Sequence, residues 1–175
     1  MRVERLGSRT VYEGGFFDVR VDRVRYPDGS EHEREIAVHP GAVAILPHDS
    51  ERLYMVRQPR ESVGEEDLLE LPAGKLDVEG ESPLECARRE LREEAGLVAE
   101  DWRECKRIYT SPGFTSEEVH LFVATGLEHV GTDPTEGERI EIVEFPLAEI
   151  DAVIERCADA TSLVALLLFR AGLLP

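Results

Sequence analysis

The sequence predicts an α+β protein in which helices flank a mixed β-sheet and a small antiparallel sheet stands apart at the N-terminus. Three observations point there. A chain of 175 residues, 42% hydrophobic and 33% charged, is long enough for one globular domain with a sizeable core and a small appendage. Residues 16–26 ("FFDVRVDRVRY") and 31–39 ("EHEREIAVH") alternate in side-chain character around Pro27, Asp28 and Gly29, the pattern of an antiparallel hairpin with a tight turn. Further on, strand-like runs are interrupted by one strongly punctuated helix and followed by two helical patterns at the C-terminal end.

Taken in order, Pro40 and Gly41 break the chain after the hairpin, and "AVAILP" and "RLYMVRQ" follow as two strands joined by the polar "HDSE". This divides the chain into an N-terminal strand segment, 1–39, and a main domain, 40–175. "LLELPAG" is a short apolar run ended by Pro72 and Gly74. Residues 82–95 form the expected helix, with Ser82 at the N-cap, Pro83 at the first turn, Glu85 completing a capping box and Gly96 just beyond the end. "WRECKRIY" and "EVHLFVAT" are strands separated by the Pro- and Gly-containing "TSPGFTSE", and a long polar connection, 126–138, precedes the strand "RIEIVEF". Helical patterns over 147–156 and 162–171, the second capped by Thr161, finish the chain.

Charge and cysteine usage exclude several functions. Twenty Lys and Arg against 37 Asp and Glu leave a formal charge of −17, which repels polyanions at long range and argues against nucleic acid or an anionic membrane surface as a partner. A phosphate ester must then be handled locally, by a few focused arginines or by divalent cations; the alternative is that the acidity serves solubility or life in salt. Cys86, Cys105 and Cys157 form no CxxC pair and no series with histidine, so neither a disulfide framework nor a structural zinc site is indicated. The N-terminus has no apolar leader, and the most apolar segment is short and carries Arg170. A soluble protein of the reducing cytoplasm is expected.

The helix over 82–95 carries the densest charge. At about 100° per residue, Leu84, Ala87, Leu91 and Ala95 gather on one face, while Glu90, Glu93 and Glu94 project from another. Two readings fit that spacing. One is a solvated face, with Arg89 pairing Glu85 and Glu93. The other is half a metal site: clustered like charges and glutamates near a helix C-terminus are unfavourable unless a cation offsets them, and hard Mg2+ prefers such oxygens.

Residues 74–97, "GKLDVEGESPLECARRELREEAGL", closely resemble the box of the Nudix hydrolases, G-x5-E-x7-R-E-U-x-E-E-x-G-U with U aliphatic. Glu81, Arg89, Glu90, Leu91, Glu93, Glu94, Gly96 and Leu97 match it, and the departure is that six residues, not five, separate Gly74 from Glu81. The segments "LELPAGKLD" and "SPGFTSE", with Pro112 sixteen positions after Gly96, resemble the ADP-ribose pyrophosphatase branch of that family, as do "REIAVHPGAVAIL" and "RQPR". The resemblance implies a Nudix-like α/β/α sandwich and a homodimer assembled through the N-terminal sheet.

The resemblance also assigns roles. It makes Glu90 and Glu94 the main ligands of Mg2+, which Mn2+ replaces, together with the backbone carbonyl of Ala73; Glu93 is a further ligand or orients water. Glu81 and Arg89 hold the carboxylates in place, although for Glu81 a cap or an ion pair with an arginine of the same helix is the competing role. In the loop "PTEGERIE", Glu136 matches the candidate general base and Glu138 a metal-binding glutamate, with an ordinary solvated acidic loop as the alternative. Arg60 matches a phosphate-contacting arginine, suited to a bidentate clamp. Arg34 and Glu35 match a pair that contacts adenine or the partner subunit, with a cross-strand surface pair as the alternative. Pro112 and Phe114 lie on the loop nearest the terminal ribose, where Phe114 has loop or core packing as its alternative. His39 and His120 have no metal-ligand partner at a useful spacing and are read as structural. The implied activity is Mg2+-dependent hydrolysis of the pyrophosphate bond of a nucleoside diphosphate derivative, with ADP-ribose first. A nucleotide sugar or dinucleotide is the alternative substrate, and a non-catalytic ADP-ribose sensor the alternative class.

Overall fold

The computed structural model describes residues 2–131 and 139–174, in two units. The first comprises Met1–Gly41 with Tyr109–Glu118, the second Ala42–Ile108 with Val119–Pro175.

The N-terminal unit is a three-stranded antiparallel sheet of β1 (Glu4–Tyr12), β2 (Asp18–Arg25) and β3 (Glu31–Val38) in that spatial order. The expected hairpin is β2–β3, turned by residues 26–30, with Gly29 at a φ of 85°. Strand β1 was not expected, because "ERLGSRTVY" is polar, lacks clean alternation and stays exposed along nearly its whole length. It is held by polar contacts. Ser8 Oγ donates to the buried Asp22 (2.6 Å), and Arg20 and Arg5 lie at 2.9 and 3.7 Å from the same carboxylate. The Ser8 hydrogen bond, with the two guanidiniums, keeps Asp22 below the usual carboxylate range. The "SPGFTSE" loop is stitched to the end of β3: Ala37 N–H donates to the Phe114 carbonyl (2.8 Å), Ser116 N–H to the Ala37 carbonyl (3.0 Å) and His39 N–H to Ser116 Oγ (3.0 Å).

The second unit contains β4 (Ala42–Pro47), β5 (Arg52–Arg60), β6 (Glu65–Glu70), β7 (Ala73–Lys75), α1 (Pro83–Ala95), β8 (Leu97–Tyr109) as far as Ile108, β9 (Glu118–His129) from Val119 onward, and β10 (Glu141–Pro146). A 3-10 turn, Leu147–Glu149, then leads into α2 (Ile150–Arg156) and α3 (Ala160–Arg170). The strands form a four-stranded sheet, β7-β4-β9-β8, and a three-stranded one, β10-β5-β6. The first is mixed, since β4 runs parallel to β9 and antiparallel to β7. Both faces of its central pair, β4 and the first half of β9, are buried. Val43 and Ile45 on β4 and Phe122 and Ala124 on β9 pack with α1, while Ala44, Leu46, Leu121 and Val123 face a core shared with β5, α2 and α3. This is the α+β arrangement of a mixed sheet flanked by helices that the sequence predicts. Among the described residues no helix is long and apolar enough to cross a membrane.

Two local expectations change. Pro72 splits the apolar run 68–74, so that β6 and β7 enter different sheets; lacking an N–H, it still accepts a hydrogen bond from Ile45 N–H (2.9 Å). The cap of α3 is Asp159, not Thr161: Asp159 Oδ2 accepts from Ser162 N–H and from Ser162 Oγ, both at 2.7 Å. A carboxylate three residues ahead of Ser162 reaches the free N–H groups of the first turn, which Thr161 is already too far inside the helix to do.

Candidate active site

The site is built on α1, whose ends are set by local chemistry. Ser82 Oγ accepts from Glu85 N–H (3.3 Å) and Glu85 Oε2 accepts from Ser82 N–H (2.8 Å), with Pro83 at the first turn and Gly96 left-handed at φ 60°. Cys86, Ala87, Leu91 and Ala95 are buried against the mixed sheet. That anchorage turns Glu90 and Glu94 toward the β6–β7 corner, with Glu93 beside them on Arg89.

Glu94 is 6% exposed, and its Oε2 accepts a hydrogen bond from Ala73 N–H at 2.9 Å. A buried carboxylate near a helix C-terminus opposes both solvation and the macrodipole. Glu90 lies directly over Gly74: a Cβ at position 74 would fall 2.0 Å from the Glu90 carboxyl carbon and 2.3 Å from its Cγ. Only glycine admits the carboxylate this close to the chain. Ala73 and Gly74 therefore bring backbone against the two carboxylates expected to bind metal.

Arg89 organises the remainder. Its Nε and Nη2 fork onto both oxygens of Glu81 (2.9 Å each), and its Nη1 donates to Glu90 (2.6 Å) and Glu93 (3.1 Å). The hydrogen bond from Arg89 holds Glu81 below its ordinary value, and the same bond is the main cause that raises Arg89, with Glu90 and Glu93 adding to it. Glu85 is engaged by Ser82 and is not the partner of Arg89. Burial, reinforced by the negative charge of Glu90, pushes the Cys86 thiol up to about 12, so it is no nucleophile at neutral pH.

Among the described residues no three acidic, imidazole or thiol side chains converge on a single point at metal-ligand spacing. The donors that share this face are all hard oxygens, the carboxylates of Glu90, Glu93 and Glu94, and neither imidazole nor thiolate competes with them there. That donor set fits a hard divalent cation and not a soft one.

Arg60, at the end of β5, forks onto Glu70: Nε lies 2.9 and 3.1 Å from the two oxygens and Nη2 2.6 Å from one, while Gln58 Nε2 donates to the same carboxylate (3.0 Å). The Glu70 hydrogen bond is the chief cause raising Arg60, and the charge of Glu94 contributes. Arg60 thus sits in the field of Glu94. Glu70 carries a signal of its own in the sequence, because a charge inside the apolar run "LLELP" needs a partner.

Arg34, Glu35, Pro112 and Phe114 belong to the N-terminal unit. Arg34 stacks over Tyr26 (5.7 Å) and donates to its hydroxyl (3.1 Å), and Glu35 lies opposite Val21 in the β2–β3 register. Pro112 and Phe114 are exposed on their loop, so Phe114 has no core role. His39 Nδ1 accepts from Gly41 N–H (3.1 Å), and His120 Nδ1 lies 2.9 Å from Glu104. Glu136 and Glu138 lie outside the described residues.

Comparison with known proteins gives this helix and corner a setting. The NUDIX domain model matches residues 38–166, and the model of the nucleoside diphosphate sugar hydrolase N-terminal domain matches residues 3–36. The chain is 43% identical over 149 residues to an ADP-ribose pyrophosphatase of Mycobacterium tuberculosis, spanning 83% of this chain and 72% of that protein. It is 37% identical over 153 residues to an ADP-ribose pyrophosphatase of Bacillus subtilis, 86% of this chain and 82% of the relative. Its structure superposes on the crystal structure of an ADP compounds hydrolase with a TM-score of 0.86 at 28% identity, covering 99% of this chain and 95% of the other. The carboxylate-bearing helix closed by Gly96, the glycine beneath Glu90 and the match across residues 38–166 agree, and the chain belongs to the Nudix family of hydrolases, with that family's need for a divalent metal ion.

Proposed function

We propose that the protein hydrolyses the pyrophosphate bond of ADP-ribose to AMP and ribose 5-phosphate, with Mg2+ as the metal ion. The observation that carries this reading is the pair of carboxylates, Glu90 over Gly74 and Glu94 on the Ala73 N–H, in a chain 43% identical to an ADP-ribose pyrophosphatase. Glu90 and Glu94, with the Ala73 carbonyl and Glu138, are assigned to hold the metal. When bound, the ion neutralises charge on the attacked phosphoryl group and lowers the pKa of water beside it. Glu136 takes the proton from the attacking water, with Glu93 orienting it; the new P–O bond forms as the bridging P–O bond breaks, and the leaving phosphate departs with the ribose or the nucleoside. No covalent enzyme intermediate is needed. Arg89 keeps Glu90 and Glu93 in position, and Glu81 fixes Arg89. Arg60 is assigned to phosphate, exchanging part of its contact with Glu70 for the substrate. Arg34, Glu35, Pro112 and Phe114 are assigned to the adenosine and ribose ends, and the N-terminal unit to pairing with a second copy. Three cysteines free of disulfides suit a reducing cytoplasm.

Hydrolysis of ADP-ribose, GDP-mannose and other nucleoside diphosphate sugars, and dinucleoside polyphosphates should be profiled with Mg2+ and Mn2+. The highest kcat/KM is expected for ADP-ribose, and a higher value for another substrate would replace that assignment. In the same assay Glu136→Gln should cut kcat with an unchanged Mg2+ requirement, and Glu138→Gln should raise that requirement. An exchanged pattern would move the base to Glu138.

A further inference from the structure

Beside α1 lies a cleft of 500 Å³ lined by Arg88, Arg89, Arg92, Glu93 and Trp102, with Val98 and Ala99 adding apolar surface. Its volume is within the range of about 300–1,000 Å³ typical of small-molecule sites. In a protein of net charge −17, a cleft with three guanidiniums and one carboxylate is a local inversion of sign. The carboxylate, Glu93, is already engaged by Arg89 (3.1 Å), and Arg89 is committed to Glu81 and Glu90 as well. Arg88 and Arg92 differ. Both are exposed, and among the described residues neither forms an ion pair. Glu85, one turn before Arg88, is hydrogen-bonded by Ser82 N–H (2.8 Å) and Ser82 Oγ (2.6 Å), which hold it below its ordinary value, and it makes no ion pair with Arg88, whose charge adds only a weaker pull in the same direction.

Trp102 supplies the other half of the cleft. Its indole N–H donates to the Ala99 carbonyl (3.1 Å), and its ring packs edge-to-face on Phe122 with centroids 6.3 Å apart. These contacts fix the ring in place. Arg88 Cζ lies 6.0 Å from the ring centroid, so a planar cation and a fixed aromatic ring stand together. Base stacking on such a pair is favourable, and Arg92 leaves a second guanidinium for an anion.

We propose that this cleft binds a purine nucleoside monophosphate, the base stacked against Trp102 and Arg88 and the phosphate held by Arg92. Binding here needs neither metal nor turnover, so it stands apart from the reading of the catalytic reaction. Arg89 and Glu93 at the edge of the cleft belong to the hydrolytic machinery, whereas Arg88, Arg92 and Trp102, which carry this binding, have no part in it.

The protein carries its own reporter, because Trp102 is the chain's single tryptophan. AMP titrated in EDTA, with excitation beyond adenine absorption, should quench its emission saturably with a half-point below about 1 mM, the affinity of a few good contacts. Adenosine, inorganic phosphate and CMP should each bind at least about tenfold more weakly, since each lacks the phosphate, the ring or the larger stacking surface. The double variant Arg88→Ala/Arg92→Ala, with Arg92→Gln as a milder second variant, should keep the wild-type circular dichroism and lose at least about tenfold in AMP affinity. Absence of saturable quenching by AMP up to about 10 mM would overturn the proposal, as would equal quenching by adenosine. Undiminished AMP affinity in both variants would place the nucleotide elsewhere and overturn it too, and CMP binding as tightly as AMP would overturn the purine assignment.

Discussion

Glu90 and Gly74 show how a single missing methyl group shapes the site. The carboxylate occupies the space that a Cβ at 74 would fill, 2.0 Å from where that atom would lie. In Gly74→Ala the flexible end of Glu90 gives way before the backbone does. The expected result is a rise of about tenfold or more in the Mg2+ concentration for half-maximal rate, with little change in melting temperature. An unchanged metal curve in a destabilised variant would make Gly74 a folding residue instead. Glu90→Gln and Glu94→Gln retain shape and lose charge. Each should lower kcat by at least about a hundredfold with the fold intact, since electrostatic stabilisation of several kcal/mol is removed. Near-normal turnover at saturating Mg2+ in either variant would remove the metal assignment.

Two serines stabilise helices on the scale of whole elements, through different physics. Ser82 caps α1 at the surface, where water can replace it. Ser162, 1% exposed, donates to Asp159 and accepts from Leu71 N–H (2.8 Å), tying the first turn of α3 to the segment that leads into Ala73 and Gly74. Ser82→Ala should cost about 1 kcal/mol. Ser162→Ala strands a buried N–H and should cost about 1–3 kcal/mol, and it should also raise the Mg2+ requirement by displacing the corner that receives Glu94. Urea unfolding of both variants, with rate against Mg2+, tests the ordering. Equal destabilisation with unchanged metal curves would disconnect α3 from the site.

For the molecule as a whole, the N-terminal unit raises the question of assembly. β1 and most of β3 are exposed, while β2 between them is partly buried, and Val11, Tyr12, Phe16 and Phe17 are among the exposed large apolar side chains of the unit. A sheet this small is marginal without a further partner. A two-fold dimer formed through it is the expected state, and sedimentation at micromolar concentration is the check. A fully active monomer would refute it. Strong net charge favours solubility and opposes indiscriminate association, so the pairing should be specific and persist in moderate salt, where screening weakens the repulsion between copies.

What the sequence determined by itself is the chemistry that acts over a few residues. Both ends of α1 follow from Ser82, Pro83, Glu85 and Gly96, and the spacing of Glu90, Glu93 and Glu94 follows from the helical repeat. The β2–β3 hairpin is legible for the same reason, as its turn residues and alternation are neighbours in the chain. Strand β1 escaped because its order comes from Asp22, fourteen residues beyond Ser8, and not from its own pattern. The tertiary structure alone decided that Arg60 forks onto Glu70, that Glu94 meets the Ala73 N–H across 21 residues, and that Ser162 reaches Leu71 across 91. Such contacts depend on sheet register and on how α1 and α3 pack against the strands. A local pattern carries no record of that packing, because the free energy that selects it comes from burying side chains brought together only by the completed fold.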